Sequence, residues 1–156
     1  EKDRRVFAMV APMLVKPDHP LYHVDDVMNG ILVRGDVIGD LMFYGAGAGK
    51  LPTASAVVAD VIDEACNMDR SIMRRWTKEK LELEEFSACT NRFFVRIRGK
   101  REENKQRVKE LFHIERYMEL PGLDEFGFWT EEMEESVFEK KAKEIGCVIN
   151  RIRMAR

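Results

Sequence analysis

Gly45, Gly47 and Gly49 alternate directly after the apolar run Leu41-Met42-Phe43-Tyr44 and directly before Pro52 and Thr53. Glycine lets the main chain take φ > 0 and lets another group approach it closely. Pro52 and Thr53 then open a helix, with Thr53 as the expected N-cap whose hydroxyl satisfies an orphan N–H. Ala54, Val57, Val58, Val61, Ile62 and Ala65 follow at the spacing of one buried helical stripe. A helix N-terminus behind a glycine turn attracts anions and the polar groups of a cofactor. The residues from Gly45 to Gly49, with Thr53, are therefore the candidate binding site.

Neither common nucleotide motif fits the spacing. A P-loop needs glycine where Tyr44 stands and Ser or Thr where Leu51 stands. The dinucleotide pattern G-x-G-x-x-G, begun at Gly45, meets Lys50 at its third glycine; begun at Gly47, it meets Pro52. A tight strand-to-helix turn without a ligand is the competing reading. No catalytic set and no metal set stands out elsewhere. His19 and His23 are four apart, but His19 precedes Pro20 and is not expected to be helical, so they share no ligand face. Cys66, Cys89 and Cys147 are odd in number and widely spaced, which predicts reduced thiols in a cytoplasmic protein.

The elements that would hold this site divide into two patterns. Val6 to Val15, broken by Pro12, reads as an edge strand, and Lys16 to Pro20 as a turn. Ile31 to Val33 and Val37 to Phe43 read as a hairpin, with Arg34-Gly35-Asp36 as hairpin chemistry rather than an adhesion motif. The charged stretch 68–87 reads as a linker. Beyond it the expected elements are a strand Phe93 to Arg98, a helix Glu102 to Phe112 and a strand Ile114 to Leu120. A strand Glu125 to Trp129, a helix Glu131 to Ile145 capped by Thr130 and ended by Gly146, and a strand Cys147 to Met154 complete them. That order, βαββαβ, is ferredoxin-like. Arg96, Arg98, Arg151 and Arg153 would alternate on neighbouring strands as one sheet face. It reads as a solvated face balanced by Glu115 and Glu119, since no aromatic pair offers nucleic acid a stacking platform.

Composition sets the outer bounds. Hydrophobic residues at 45% suffice for a core and 35% charged residues for a hydrated surface. A net charge of −2 gives no electrostatic case for nucleic acid or an anionic membrane, and no apolar run is long enough to span a bilayer.

Asp18-His19-Pro20-Leu21, Asn29-Gly30, Gly35-Asp36, Gly39-Asp40-Leu41, Gly45-Ala46-Gly47-Ala48-Gly49 and Leu51 to Asp60 closely resemble homoserine dehydrogenase, over roughly Val6 to Ala65. The resemblance falls in the C-terminal part of that family's catalytic region. It implies reduction of aspartate semialdehyde to homoserine with NAD(P)H, on the route to threonine, methionine and isoleucine. It also implies that Gly45, Ala46, Gly47, Ala48, Gly49 and Thr53 lie on the nicotinamide side of the NAD(P) site. The hairpin would join the mixed sheet through which subunits pair, making a homo-oligomer of at least two copies. The family's Rossmann fingerprint and lysine-bearing catalytic stretch are not found in these 156 residues, so the chain is expected to be a C-terminal fragment, inactive alone. The ferredoxin-like part is similar to an ACT domain, with an amino-acid effector as the candidate partner. Gly99-Lys100-Arg101-Glu102-Glu103 departs from the Asp-x-Pro-Gly-like turn of ligand-binding members.

The expected architecture is thus α+β: a partial mixed sheet with a returning helix over residues 1–67, a linker over 68–87 and an ACT-like domain over 88–156. A stand-alone effector-binding or oligomerisation module is the alternative.

Overall fold

The computed structural model describes residues 6–70, 78, 80, 82–119 and 121–155. In chain order the elements are β1 (Met13–Leu14), a 3-10 turn (Pro20–His23), β2 (Met28–Gly35), β3 (Gly39–Ala46) and α1 (Lys50–Cys66). A second 3-10 turn (Phe86–Ala88), β4 (Thr90–Asn91), β5 (Phe93–Arg98) and α2 (Arg101–Leu111) follow. The chain closes with β6 (Ile114–Glu119), β7 (Glu125–Thr130), β8 (Met133–Glu134), α3 (Glu135–Ile145) and β9 (Val148–Met154). Val15–Lys78 forms one compact unit; Glu79–Arg156 forms the other together with Glu1–Leu14. Residues 71–77, 79 and 81 of the expected linker lie outside the described residues.

The C-terminal unit carries a five-stranded sheet in the order β1-β9-β5-β7-β6. Its last four strands, with α2 and α3, are the ferredoxin-like βαββαβ arrangement. Phe93, Val95 and Ile97 of β5 alternate with less buried neighbours, and Phe126 and Phe128 of β7 lie opposite Ile97 and Val95. This pleat gives the sheet one apolar face. Val108 and Phe112, at the end of α2 and just past it, and Phe138 and Ile145 of α3 close that face into a core. Phe138 packs its ring 4.3 Å from that of Phe93. Gly146 ends α3 in the left-handed region at φ 73°, as its position predicts.

Three expectations change here. Thr130 does not cap α3: β7 runs through it, and its fully buried hydroxyl accepts the Phe93 N–H at 3.1 Å. The helix starts at Glu135 because Met133 and Glu134 are drawn into pairing with Asn91 and Thr90. The four arginines do not share a face. Arg153 and Arg151 sit opposite Phe93 and Val95, hence on the helix-covered side, whereas Arg96 alternates to the other. Their partners are local glutamates: Glu135 and Glu139 for Arg151, Glu135 for Arg153, and Glu125 for Arg96. Finally, the apolar run before Pro17 becomes only the two-residue β1, pairing in parallel with β9, and Val6 bridges to Leu83.

Unit Val15–Lys78 is organised by the β2–β3 hairpin, registered from Gly35↔Gly39 to Met28↔Ala46. Its tip is residues 36–38, so Arg34 and Gly35 belong to β2, and Val37 and Ile38 are exposed in the loop instead of opening β3. Arg34 donates to Asp40 across the ladder at 2.8 Å, which shifts the turn two residues beyond its expected start. On one face Gly30 admits the 3-10 turn: a Cβ there would lie 2.6 Å from Leu21 Cδ2. His19 caps that turn by accepting the Leu21 N–H on Nδ1 at 3.1 Å.

Candidate functional site

The glycine-rich stretch divides between strand and turn. Gly45 and Ala46 end β3, Gly47 and Ala48 form the turn, and Gly49 is the N-cap of α1. Only Gly49 has the left-handed backbone that excludes other residues, at φ 117° and ψ 156°. Gly45 and Gly47 do not require it. Thr53 is not the cap; it lies inside the helix and donates its N–H to the Gly49 carbonyl at 3.2 Å. The N-cap falls at Gly49, four residues before Thr53, and Pro52 is tolerated because it occupies a first-turn position where its missing N–H would have had no helical partner anyway.

No side chain caps α1, and no acidic residue stands in its first turn. The N–H groups of Lys50 and Leu51 therefore begin the helix with the positive end of its dipole unopposed by a local carboxylate. A Cβ placed at Gly45 would have nothing within 4 Å, so this side of the turn is open. At Gly47 the situation is opposite. A Cβ there would fall 1.8 Å from Nδ2 and 2.8 Å from Cγ of Asn29, whose side chain already fills that space. The structure thus brings Gly45, Ala46, Gly47, Ala48, Gly49 and Thr53 into one strand–turn–helix corner and adds Asn29. The signal for Asn29 was its place in β2: a polar residue in register with Ile31 and Val33, facing Gly45.

The apolar stripe of α1 exists at the expected spacing but is not buried. Val57, Val58, Val61 and Ile62 are all more than half exposed. The hairpin face bearing Ile31, Val33, Leu41 and Phe43 is exposed as well.

The C-terminal unit has a second concave feature. A surface hollow of about 440 Å³ lies between the β5–α2 turn and the β6–β7 turn, lined by Lys100, Glu102, Glu119, Gly122, Leu123 and Glu125, among others. Gly99, at φ 103°, donates its N–H to Asp124 O at 2.7 Å and so ties the two turns together. Glu125 is held from one side by Arg96 Nε at 2.6 Å. A residue that sequence reasoning missed lies deeper. Glu135 is 2% exposed, receives Arg153 through two hydrogen bonds of 2.6 and 2.9 Å, and accepts from Asn91 Nδ2 at 2.9 Å. Nothing in the sequence marks it, because glutamate in a helix first turn is ordinary. Among the described residues no cluster of His, Cys, Asp and Glu is arranged to hold a metal, and no helix is long and apolar enough to cross a membrane.

Residues 4–62 match the family model for homoserine dehydrogenase. Homoserine dehydrogenase of Synechocystis is 43% identical over 88 residues, 56% of this chain and 19% of that protein. Homoserine dehydrogenase of Neisseria gonorrhoeae is 55% identical over 56 residues, 36% of this chain and 13% of that one. The chain spans about a fifth or less of the length of these relatives. A crystal structure of a homoserine dehydrogenase from Thiobacillus denitrificans shares the fold over 93% of this chain and 38% of its own, with a TM-score of 0.76 at 24% identity. Homoserine dehydrogenase of S. aureus at pH 6.0 covers 92% of this chain and 36% of its own, with a TM-score of 0.66 at 26% identity.

Proposed function

We propose that this chain, which belongs to the homoserine dehydrogenase family through residues 4–62, is part of a cytoplasmic NAD(P)-dependent enzyme that reduces aspartate semialdehyde to homoserine. One observation carries the reading. The segment that matches the family is the one that ends a strand in Gly45-Ala46, turns through Gly47 to Gly49 and starts α1 with no side-chain cap.

These residues fit one edge of a nicotinamide cofactor. The open space over Gly45 admits a flat ring, and the N–H groups of Lys50 and Leu51 are donors for a polar group. When bound, the cofactor supplies the hydride. The chain's own part is to hold the turn rigid at Gly49 and to keep acidic side chains out of the first turn of α1. The absence of such a carboxylate leaves the helix dipole free to favour a negative or polar group there.

The exposed faces suit the same assembly. The hairpin face of Ile31, Val33, Leu41 and Phe43 is a surface for a second copy, and the α1 stripe one for the nucleotide-binding part of the enzyme. In the ACT-like unit, the hollow offers carboxylates to an ammonium group and Lys100 to a carboxylate, the pairing an amino-acid effector requires.

The test is NAD(P)-dependent oxidation of homoserine by the complete protein that carries this chain. No turnover with either cofactor overturns the reading. This chain alone should give none, since positioning of both reactants is needed for the transfer. The self-contained core of the C-terminal unit also suits a second reading, an effector-binding module without catalysis. Heat of binding for threonine or methionine, with no turnover by the complete protein, would favour it.

A further inference from the structure

We propose that Asn29 is a positioning residue for the reaction: a strut that sets the glycine turn at the height the cofactor needs. This rests on the reading that the turn lines the nicotinamide site. Asn29 lies in β2 directly opposite Gly45 of β3. The carboxamide of Asn29 leans along the ladder to Gly47 and leaves the space over Gly45 open. It occupies the very place that a Gly47 side chain would take, 1.8 Å from such a Cβ.

Gly47 does not have the left-handed backbone, so its own conformation does not demand glycine. A side chain at residue 47 would have to displace the exposed Asn29 carboxamide from its present place. The two residues form a matched pair, one giving up its Cβ so that the other can bridge from β2 to the turn. Among the described residues the Asn29 carboxamide makes no hydrogen bond, so no other polar partner claims it away from the turn. Two residues later Gly49 begins α1. A shift of the Gly47 peptide would move the first N–H groups of that helix with it. Displacements of this size matter at a reacting centre, where a misplacement of about 1 Å can cost about a hundredfold in rate.

The experiment uses the complete enzyme and compares Asn29→Ala, Gly47→Ala and the double variant. Asn29→Ala is expected to raise the KM for NAD(P)H about tenfold, with the KM for the semialdehyde and the melting temperature changing little. Gly47→Ala is expected to do the same, because its methyl group collides with Asn29. In the double variant that methyl enters the vacated space, and the cofactor KM recovers toward the wild-type value. Asn29→Ser, smaller but polar, should fold if the alanine variant does not, and should show the same selective rise. If Asn29→Ala and Asn29→Ser leave the cofactor KM and kcat unchanged while Gly47→Ala impairs them, the strut is wrong and the turn assignment stands. If every variant lowers the melting temperature without moving cofactor KM or kcat, the turn assignment fails and the inference with it. A double variant no better than the worse single variant also overturns the pairing.

Discussion

Phe128 and Val61 are both apolar residues on regular elements, yet Phe128 is fully buried and Val61 is 63% exposed. The contrast extends to their units. In the C-terminal unit every strand of the ferredoxin-like sheet faces a helix of the same unit, and Phe93, Phe112, Phe126, Phe128 and Phe138 meet in its interior. Between Val15 and Lys78 no described residue reaches full burial, although the hairpin is completely registered and α1 runs for 17 residues. Local sequence is enough to write a hairpin and a helix. A core needs a second layer. The C-terminal unit contains both layers, whereas the glycine-turn unit displays the apolar faces of one.

This difference predicts where a lesion will be felt. Phe138→Ala removes a ring packed against Phe93 and Phe112 and should cost the C-terminal unit about 3–5 kcal/mol. Chemical denaturation followed by the fluorescence of Trp129 reads it directly. An unchanged midpoint would mean that the aromatic cluster is not a core. Glu135→Ala comes next, at about 3 kcal/mol, because it strands Arg153 in the interior with its main partner gone. Glu135→Gln should recover part of the loss, since an amide oxygen can still accept from Asn91. Equal losses for the two variants would assign the whole effect to the charge, since glutamine keeps the packing and loses only the charge.

At the other extreme, Val61→Ser should shift the denaturation of this chain by less than about 0.5 kcal/mol, as for an ordinary surface position. The same change in the complete enzyme should lower stability or cofactor binding measurably. If Val61→Ser destabilises this chain as much as a core substitution does, the two units do not differ in the way their burial indicates.

The C-terminal fold was legible because its signals are local and mutually consistent. Alternation in Phe93-Phe94-Val95-Arg96-Ile97, the glycine at residue 146 and the turn at Pro121-Gly122 each demand what their neighbours also demand. The misreadings arose where a tertiary contact outcompeted a local preference. Thr130 is a good N-cap by type, but the Phe93 N–H claims its hydroxyl in the core. Thr53 is a good cap too, yet Gly49 starts the helix because only glycine can make that turn. The arginines failed as a single basic face because one face of a sheet is decided by register, and a strand's register cannot be read from its own residues. At the candidate site, the turn and its helix were visible as spacing. Asn29 was not, because its role depends on what lies across the ladder.

The smallest effect separates the two units by their ion pairs. In the C-terminal unit the Arg153–Glu135 pair is mostly covered, with 13% and 2% of the two side chains accessible; in the hairpin the Arg34–Asp40 pair is exposed at the surface, with 55% and 38% accessible. The hydrogen bond from Arg34 is the main reason the Asp40 carboxyl is held below its usual range. A carboxyl with a lowered pKa stabilises the folded form fully above its unfolded value, near about 3.9. That contribution is lost as pH falls through the lowered folded value. Amide exchange in β2 and β3 should therefore be slightly faster in Asp40→Asn than in the wild type at neutral pH, and the difference should vanish in acid. It should shrink in high salt as well, because an exposed pair is screened. A difference that persists in acid or in molar salt would mean that Asp40 holds the hairpin through its hydrogen bonding and not its charge.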